Sequence, residues 1–274
     1  FWAGTWYGGV SRVDLGGGGF ARIVGRPGEP HSLADNKIRA LLQDGDHLWL
    51  GSSTALHRFD PATGKADVYR HQKDNPNSLI DVPAAAIVRD RAGLLWIGSR
   101  SGVTSFDPAT RRFRRYMLPG DADANQVRSM LVDRDDVIWI GTRGGMHRMA
   151  AGTRALTSLR HDPGKAASLT DDTVRPLLED RRGRFWVGTV SGLELLDRAS
   201  GRFRHFRHDP FDPNSLSHNE VQSLFEDSRG DIWIGTGVGL NRMVTGPDGA
   251  LSFTRYTTRD GLVDDSVSAI LEDA

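Results

Sequence analysis

Three histidines raise the question of a metal: His71, His161 and His208. Neutral imidazole is a common metal ligand. Each of these, however, follows an arginine (Arg70, Arg160, Arg207) and stands just ahead of a loop ending in Ser-Leu. Copies of one repeated position fall on different structural units and need not converge, so no metal site is expected. A set of arginines carries more. Arg39, Arg128 and Arg175, with Gln222, are polar positions in otherwise apolar stretches. Three guanidinium groups in a partly enclosed space favour an anionic ligand. The alternative is hydration, or pairing with Glu179 and Glu220. At turn positions, Trp6-Tyr7 offers a stacking platform for a sugar or another flat ligand, or else packs at a rim. Arg100 and Arg143 have the chemistry to clamp a carboxylate or phosphate. Catalytic signatures are absent from the sequence: no nucleophile elbow, phosphate-cradling glycine loop, His-Glu-x-x-His or calcium-loop pattern occurs.

These residues must be positioned by a repeat. Phe1-Trp2-Ala3-Gly4-Thr5, Leu48-Trp49-Leu50-Gly51-Ser52, Leu95-Trp96-Ile97-Gly98-Ser99, Ile138-Trp139-Ile140-Gly141-Thr142, Phe185-Trp186-Val187-Gly188-Thr189 and Ile232-Trp233-Ile234-Gly235-Thr236 are one motif. Their tryptophans are separated by 47, 47, 43, 47 and 47 residues, and six of the seven tryptophans fall on this register. An Asp precedes five of them by five or six residues (Asp44, Asp90, Asp133, Asp180, Asp227), often with Gly three later, as at Gly93, Gly183 and Gly230. Asp-x-x-Gly is a tight-turn signal. An apolar stretch lies before each turn, and two further short strands follow each motif, joined by turns such as Pro61 to Gly64 and Ala199 to Gly201.

Four short strands per unit, recurring at this period, predict an all-β fold: a β-propeller of four-stranded antiparallel blades. The six repeats read either as a six-blade ring closed by a C-terminal strand, Ser266 to Glu272, or as part of a seven-blade ring. Residues 1–274 are expected to form a single propeller domain. The repeated Trp, Ile and Leu are then inter-blade core. Gly51, Gly98, Gly141, Gly188 and Gly235 mark sites where a Cβ clashes or φ is positive. The Ser-Leu loops, among them Pro76 to Leu79 and Pro213 to Leu216, read as anchors. Strand-two-to-three turns and blade-connecting loops emerge on one face, where ligands are expected. That face carries Trp6, Tyr7, Arg100 and Arg143, with Arg39, Arg128, Arg175 and Gln222 beside the channel.

Composition sets further limits. Lys plus Arg and Asp plus Glu are equal at 35 each, which gives no net basic face for nucleic acid. There is no Cys, so no disulfide reports the compartment. The chain opens without Met or a signal-peptide pattern, and reads as a piece of something longer.

The stretch Asp227-Ser228-Arg229-Gly230-Asp231-Ile232-Trp233-Ile234-Gly235-Thr236-Gly237-Val238-Gly239-Leu240 resembles the two-component regulator propeller repeat. The resemblance extends along the whole chain in motif and period. It departs in showing six repeats and in a third blade four residues short, which lacks the Ser-Leu loop. The resemblance implies a non-catalytic, periplasmic sensor region of a bacterial hybrid histidine kinase or membrane-bound diguanylate cyclase. It further implies a small-molecule or saccharide ligand, relay to an output domain in the rest of a larger membrane-bound chain, and a homodimer. No cofactor is implied. The rival classes are an enzyme similar to the streptogramin lyases, for which His218 and Glu220 are the nearest pair, and a protein-binding scaffold.

Overall fold

The computed structural model describes residues 2–4, 10–13, 20–26, 28–150, 152–246 and 249–272. Each repeat folds as one antiparallel sheet, its strands side by side in chain order. The first sheet holds β1 (Trp2–Gly4), β2 (Val10–Val13) and β3 (Phe20–Ile23). The second holds β4 (Ile38–Asp44), β5 (His47–Ser52), β6 (Leu56–Asp60) and β7 (Lys65–Tyr69). The third comprises β8 (Ala86–Arg89), β9 (Leu95–Ser99), β10 (Gly102–Asp107) and β11 (Arg112–Tyr116), and the fourth β12 (Val127–Val132), β13 (Ile138–Thr142), β14 (Gly145–Met149) and β15 (Leu156–Leu159). Next come β16 (Val174–Glu179), β17 (Phe185–Thr189), β18 (Gly192–Asp197) and β19 (Arg202–Phe206). The last sheet is β20 (Val221–Glu226), β21 (Ile232–Thr236), β22 (Gly239–Thr245) and β23 (Leu251–Tyr256). Among the described residues no helix is long and apolar enough to cross a membrane.

The chain divides into two compact units, Phe1–Ile138 and Trp139–Ala274. Within each, apolar residues of successive sheets share one core. In the first unit Trp49 and Leu56 of the second sheet pack with Ile87, Leu95, Ile97 and Phe106 of the third. In the second unit Trp186, Leu193 and Phe206 pack with Val221, Ile232, Ile234, Met243 and Phe253. A strand with a neighbouring sheet on each face has no solvent side, so the second strands read as continuous apolar runs instead of alternating ones. β9, β13 and β17 are buried at every residue. The glycine in this strand admits the next sheet: a Cβ at Gly188 would stand 2.6 Å from Pro176 Cγ and 2.7 Å from Val221 Cγ1. Its role is steric, and no positive φ is involved.

One expected element differs. Residues 266–272 form no strand among the described residues, and the first sheet has three strands. The segment instead follows the sixth sheet. The Val267 amide donates to Thr236 O at 3.0 Å, and Ser223 Oγ donates to Val267 O at 3.1 Å. The corresponding bond, Ala84 N–H to Ser52 O at 3.0 Å, carries the chain into the third sheet. Strand geometry needs a continuous ladder, and isolated bonds of this kind do not supply one.

Candidate functional site

Much of the repeated polar chemistry is spent on the scaffold. The turn aspartate does more than shape its turn: it takes the indole N–H of the motif tryptophan. Trp49 Nε1 donates to Asp44, Trp96 to Asp90, Trp186 to Asp180 and Trp233 to Asp227, at 3.1, 2.9, 3.0 and 2.9 Å. Burial works against ionisation of Asp180, but bonds from the Trp186 indole and from the amide and guanidinium of Arg184 outweigh it. They hold the carboxyl below the usual range. The sequence offered the recurring Asp–Trp spacing of five or six residues as the signal for this bond.

The histidines anchor loops, as their repetition implied. Nδ1–H of His71, His161 and His208 donates to the carbonyl of the leucine eight residues on, at 2.8, 2.7 and 2.7 Å. The loop serine closes the same loop by accepting an amide: Ser78 from Gln72, Ser168 from Asp162 and Ser215 from Asp209, at 3.0, 2.9 and 2.7 Å. Among the described residues no cluster of three or more imidazole or carboxylate groups is placed to hold a metal.

A second column of polar residues, unread in the sequence, lies in the third strands. His57, Thr104, His147, Glu194 and Asn241 occupy one register position and are at most 1% exposed. Three of them accept the amide of the residue that leaves the preceding loop: His57 Nε2 from Ala34 (2.9 Å), Thr104 Oγ1 from Ile80 (3.0 Å) and Asn241 Oδ1 from Ser217 (2.8 Å). Glu194 accepts from the Thr170 hydroxyl instead. Burial pushes the His57 imidazole down to about 4, with the Leu50 carbonyl and Asp35 opposing. The ring is therefore neutral near pH 7, with Nδ1–H on Leu50 O at 3.2 Å and Nε2 free to accept.

The sequence-predicted ligand residues divide in three. Trp6 and Tyr7 lie outside the described residues. Arg100 and Arg143 are exposed at the β9–β10 and β13–β14 turns. The remainder lie on first strands, and three of them sit where the ladder slips. Pairing between first and second strands is interrupted between Ile38 and Ala40, between Val174 and Leu177, and between Val221 and Ser223. Arg39, Arg175 and Gln222 occupy these bulges. A bulge leaves its extra residue out of the ladder and re-aims the side chain. Arg39 Nε donates to Ser53 Oγ at 3.3 Å. Arg175 Nη1 pairs with Glu220 Oε1 at 2.7 Å, which is the pairing weighed from sequence. Gln222 Oε1 accepts from Ser266 Oγ at 3.3 Å. Arg128 is exposed on β12, and in the first unit β4, β8 and β12 lie in succession, with positions 39 and 128 on β4 and β12 and position 85 just ahead of β8.

The blade-connecting loops do reach the strand-two-to-three turns. Asp35 Oδ2 accepts from the hydroxyls of Ser52 (2.7 Å) and Thr54 (2.5 Å), Asp81 Oδ2 from Ser101 (2.6 Å) and Asp171 Oδ2 from Ser191 (3.0 Å). Beside Arg175, the Gly237 amide donates to Glu220 O at 3.0 Å and the Glu220 amide to His218 Nδ1 at 3.1 Å.

A further feature, unread in the sequence, is a cleft at the outer edge of the second unit. It measures about 990 Å³ and lies between β15 and the β18–β19 turn, lined by Arg160, Lys165, Arg202 and Phe203. A hollow of about 350 Å³ adjoins it, lined by His161, Lys165, Thr170, His205 and Arg207.

Six successive antiparallel sheets, one per repeat and packed through shared inter-sheet cores, define a β-propeller. Comparison with known proteins agrees. Residues 168–191 and 215–237 match the two-component regulator propeller, so these segments are repeats of that kind. Residues 48–177 match the SMP-30/gluconolactonase/LRE-like region. No curated protein matches the chain. Among solved structures it is similar to the extracellular domain of a hybrid two-component system of B. thetaiotaomicron, with TM-score 0.78 and 20% identity, over 99% of this chain and 36% of that one. A second such domain from B. thetaiotaomicron gives TM-score 0.55 and 19% identity, over 89% of this chain and 38% of that one. Virginiamycin B lyase from Staphylococcus aureus gives TM-score 0.65 and 14% identity, over 91% and 77%. The chain thus spans little more than a third of the length of either extracellular domain.

Proposed function

We propose that this chain is the non-catalytic, ligand-binding propeller of a bacterial signalling protein, facing the extracytoplasmic side and passing its signal to an output domain in the rest of a larger membrane-bound chain. The observation that carries the reading is the first-strand bulge. There the repeat sets a different side chain in different blades, Arg39, Arg175 or Gln222, at a position released from the ladder. The turn Asp, the loop Ser and His and the buried third-strand residue serve the scaffold. The likeness to two extracellular domains of two-component systems supports the setting. The ligand is a small molecule or saccharide with anionic character, matched to guanidinium groups. A periplasmic location and a homodimer complete the reading.

A thermal-shift screen against neutral and acidic saccharides, organic acids, amino acids and short peptides tests it. A ligand at a hundred times its Kd should stabilise the fold by about 2.7 kcal/mol. A shift confined to one chemical class and abolished by Arg39→Ala or Arg175→Ala supports the sensor. A hit that both variants retain moves the site elsewhere, and a folded protein that responds to nothing favours a protein-binding scaffold.

The match to the gluconolactonase and LRE-like region and the likeness to virginiamycin B lyase favour one second reading, a propeller lyase or hydrolase. Metal-dependent turnover of a cyclic ester substrate, lost in a Glu220→Gln variant, would establish it in place of the sensor.

A further inference from the structure

The fourth sheet differs from its neighbours at its outer edge. In four other sheets, one register position of the fourth strand donates its amide to the loop that enters the sheet. These bonds run from Ala66 to His31 O (2.7 Å), Phe113 to Asn77 Oδ1 (2.8 Å), Phe203 to Ala167 O (2.9 Å) and Phe253 to Asn214 O (2.8 Å). Two residues on, a side chain pins the same loop in three of them. Arg115 donates to Asn75 O, His205 Nε2 to Ala166 O and Arg255 to Asp212 O, at 2.8, 2.7 and 2.7 Å.

The fourth sheet is entered by the shortened connection, 117–126, which has no Ser-Leu loop. Its equivalent positions are Leu156 and Ser158, opposite Met149 and His147. The Ala150 amide donates to Ala155 O at 2.9 Å, so the next pair, Met149 and Leu156, is not hydrogen-bonded, and Leu156 turns its amide and carbonyl out of the sheet. Ser158, two residues on, does the same. Among the described residues the Leu156 amide has no partner. The Ser158 hydroxyl bonds the buried His147 Nδ1 at 2.9 Å and holds no loop. β15 thus presents an open edge, and Leu156-Thr157-Ser158-Leu159 carries no charge, no Pro and no bulge to blunt it.

The cleft of about 990 Å³ lies beside this edge, lined by Ser158, Leu159 and Arg160 and, from the loop and turn that follow, by Lys165 and Arg202. Its charge is one-sided. The lining acid, Asp162, is paired with Lys165 at 2.8 Å. Asp197, opposite Arg202, is engaged by its own turn, accepting from the Ala199 amide at 3.0 Å. Arg160 Nη2 is buried with no hydrogen-bond partner, and among the described residues the Arg202 guanidinium has neither an ion pair nor a hydrogen bond. A strand edge reads main chain without choosing a sequence, whereas guanidinium groups beside it favour carboxylates. Four residues supply few main-chain bonds, so the cleft must carry the rest.

We propose that β15 and this cleft form a docking site for an extended acidic segment of a partner protein, added as a fifth strand to the fourth sheet. The site stands on a fourth strand and uses none of the first-strand bulges.

Three fluorescein-labelled peptides of about six residues test it, alternating Val with Glu, Lys or Thr. Binding to the intact chain is followed by fluorescence anisotropy. The Glu peptide should bind about tenfold more tightly than the Thr peptide, and the Lys peptide should not bind. Arg202→Glu should weaken the Glu peptide by about tenfold. Ser158→Pro should abolish its binding, because Pro removes an outward amide that the sheet itself does not use. Absence of binding, or equal binding of the three peptides, overturns the proposal, as does binding retained in Ser158→Pro. Should that variant not fold, the Glu peptide N-methylated throughout must fail to bind, and binding by it also overturns the proposal. Self-association of the chain that Ser158→Pro abolishes would seat a second copy on the edge and overturn the acidic partner.

Discussion

The first and third strands of each blade both carry one repeated position whose residue type changes from blade to blade, but the two columns behave differently. In the third strands His57, Thr104, His147, Glu194 and Asn241 are all buried. Three of them perform one task, accepting an amide from the chain that leaves the preceding loop. In the first strands Arg39 and Arg128 are exposed and Arg175 and Gln222 are half-buried, and the partners that Arg39, Arg175 and Gln222 find differ. Variation at a buried position is thus several ways of meeting a single hydrogen-bond demand, whereas variation at the bulge serves no common scaffold task. Only the second kind leaves side chains for the ligand face proposed above.

Substitutions should separate the columns by free energy. Asn241→Ala removes the acceptor of the Ser217 amide and the donor to Ile234 O, leaving buried groups unpaired. The loss should be about 3 kcal/mol in urea unfolding, and a loss below about 0.5 kcal/mol would erase the distinction between the columns. His57 sharpens it through pH. Its imidazole is pushed down to about 4 in the fold against an ordinary 6.5, so the unfolded chain binds the proton more tightly. Stability from this group is complete above about pH 6.5, falls as the solution is acidified and levels off below about pH 4, a total of about 3 kcal/mol. His57→Gln should flatten that segment of the stability profile. Acid thus weakens the His57 contact. The smallest effect belongs to Arg175→Ala. The pair with Glu220 is about a third exposed on each side, and its loss should cost less than about 1 kcal/mol. Ligand-induced stabilisation should nonetheless disappear, and a large stability loss without a binding defect would return Arg175 to the scaffold.

The legible part of the site was positional. Arg39, Arg175 and Gln222 stand out in the sequence because each interrupts an apolar stretch at the same offset from the turn Asp. That they lie on bulges was not legible, since a one-residue slip depends on how two strands meet and leaves no mark on either alone. Trp49 and Asp44 were both visible, but the bond between them was not, because a turn aspartate is already accounted for by its own backbone. Glu194 and His205 were hidden more thoroughly. They are eleven residues apart in ordinary strand sequences and become partners only through the β18–β19 register.

The sequence by itself determined the period, the four-strand unit and the inter-blade core, because each follows from local chemistry repeated at fixed spacing: a turn that needs Asp and Gly, a doubly covered strand that needs apolar residues, and a close approach that excludes a Cβ. Tertiary structure alone decided which polar residues are consumed. A hydrogen-bond partner brought in from the preceding loop turns His57 or Asn241 into scaffold, a slipped ladder releases Arg175, and the β18–β19 register sets His205 opposite Glu194.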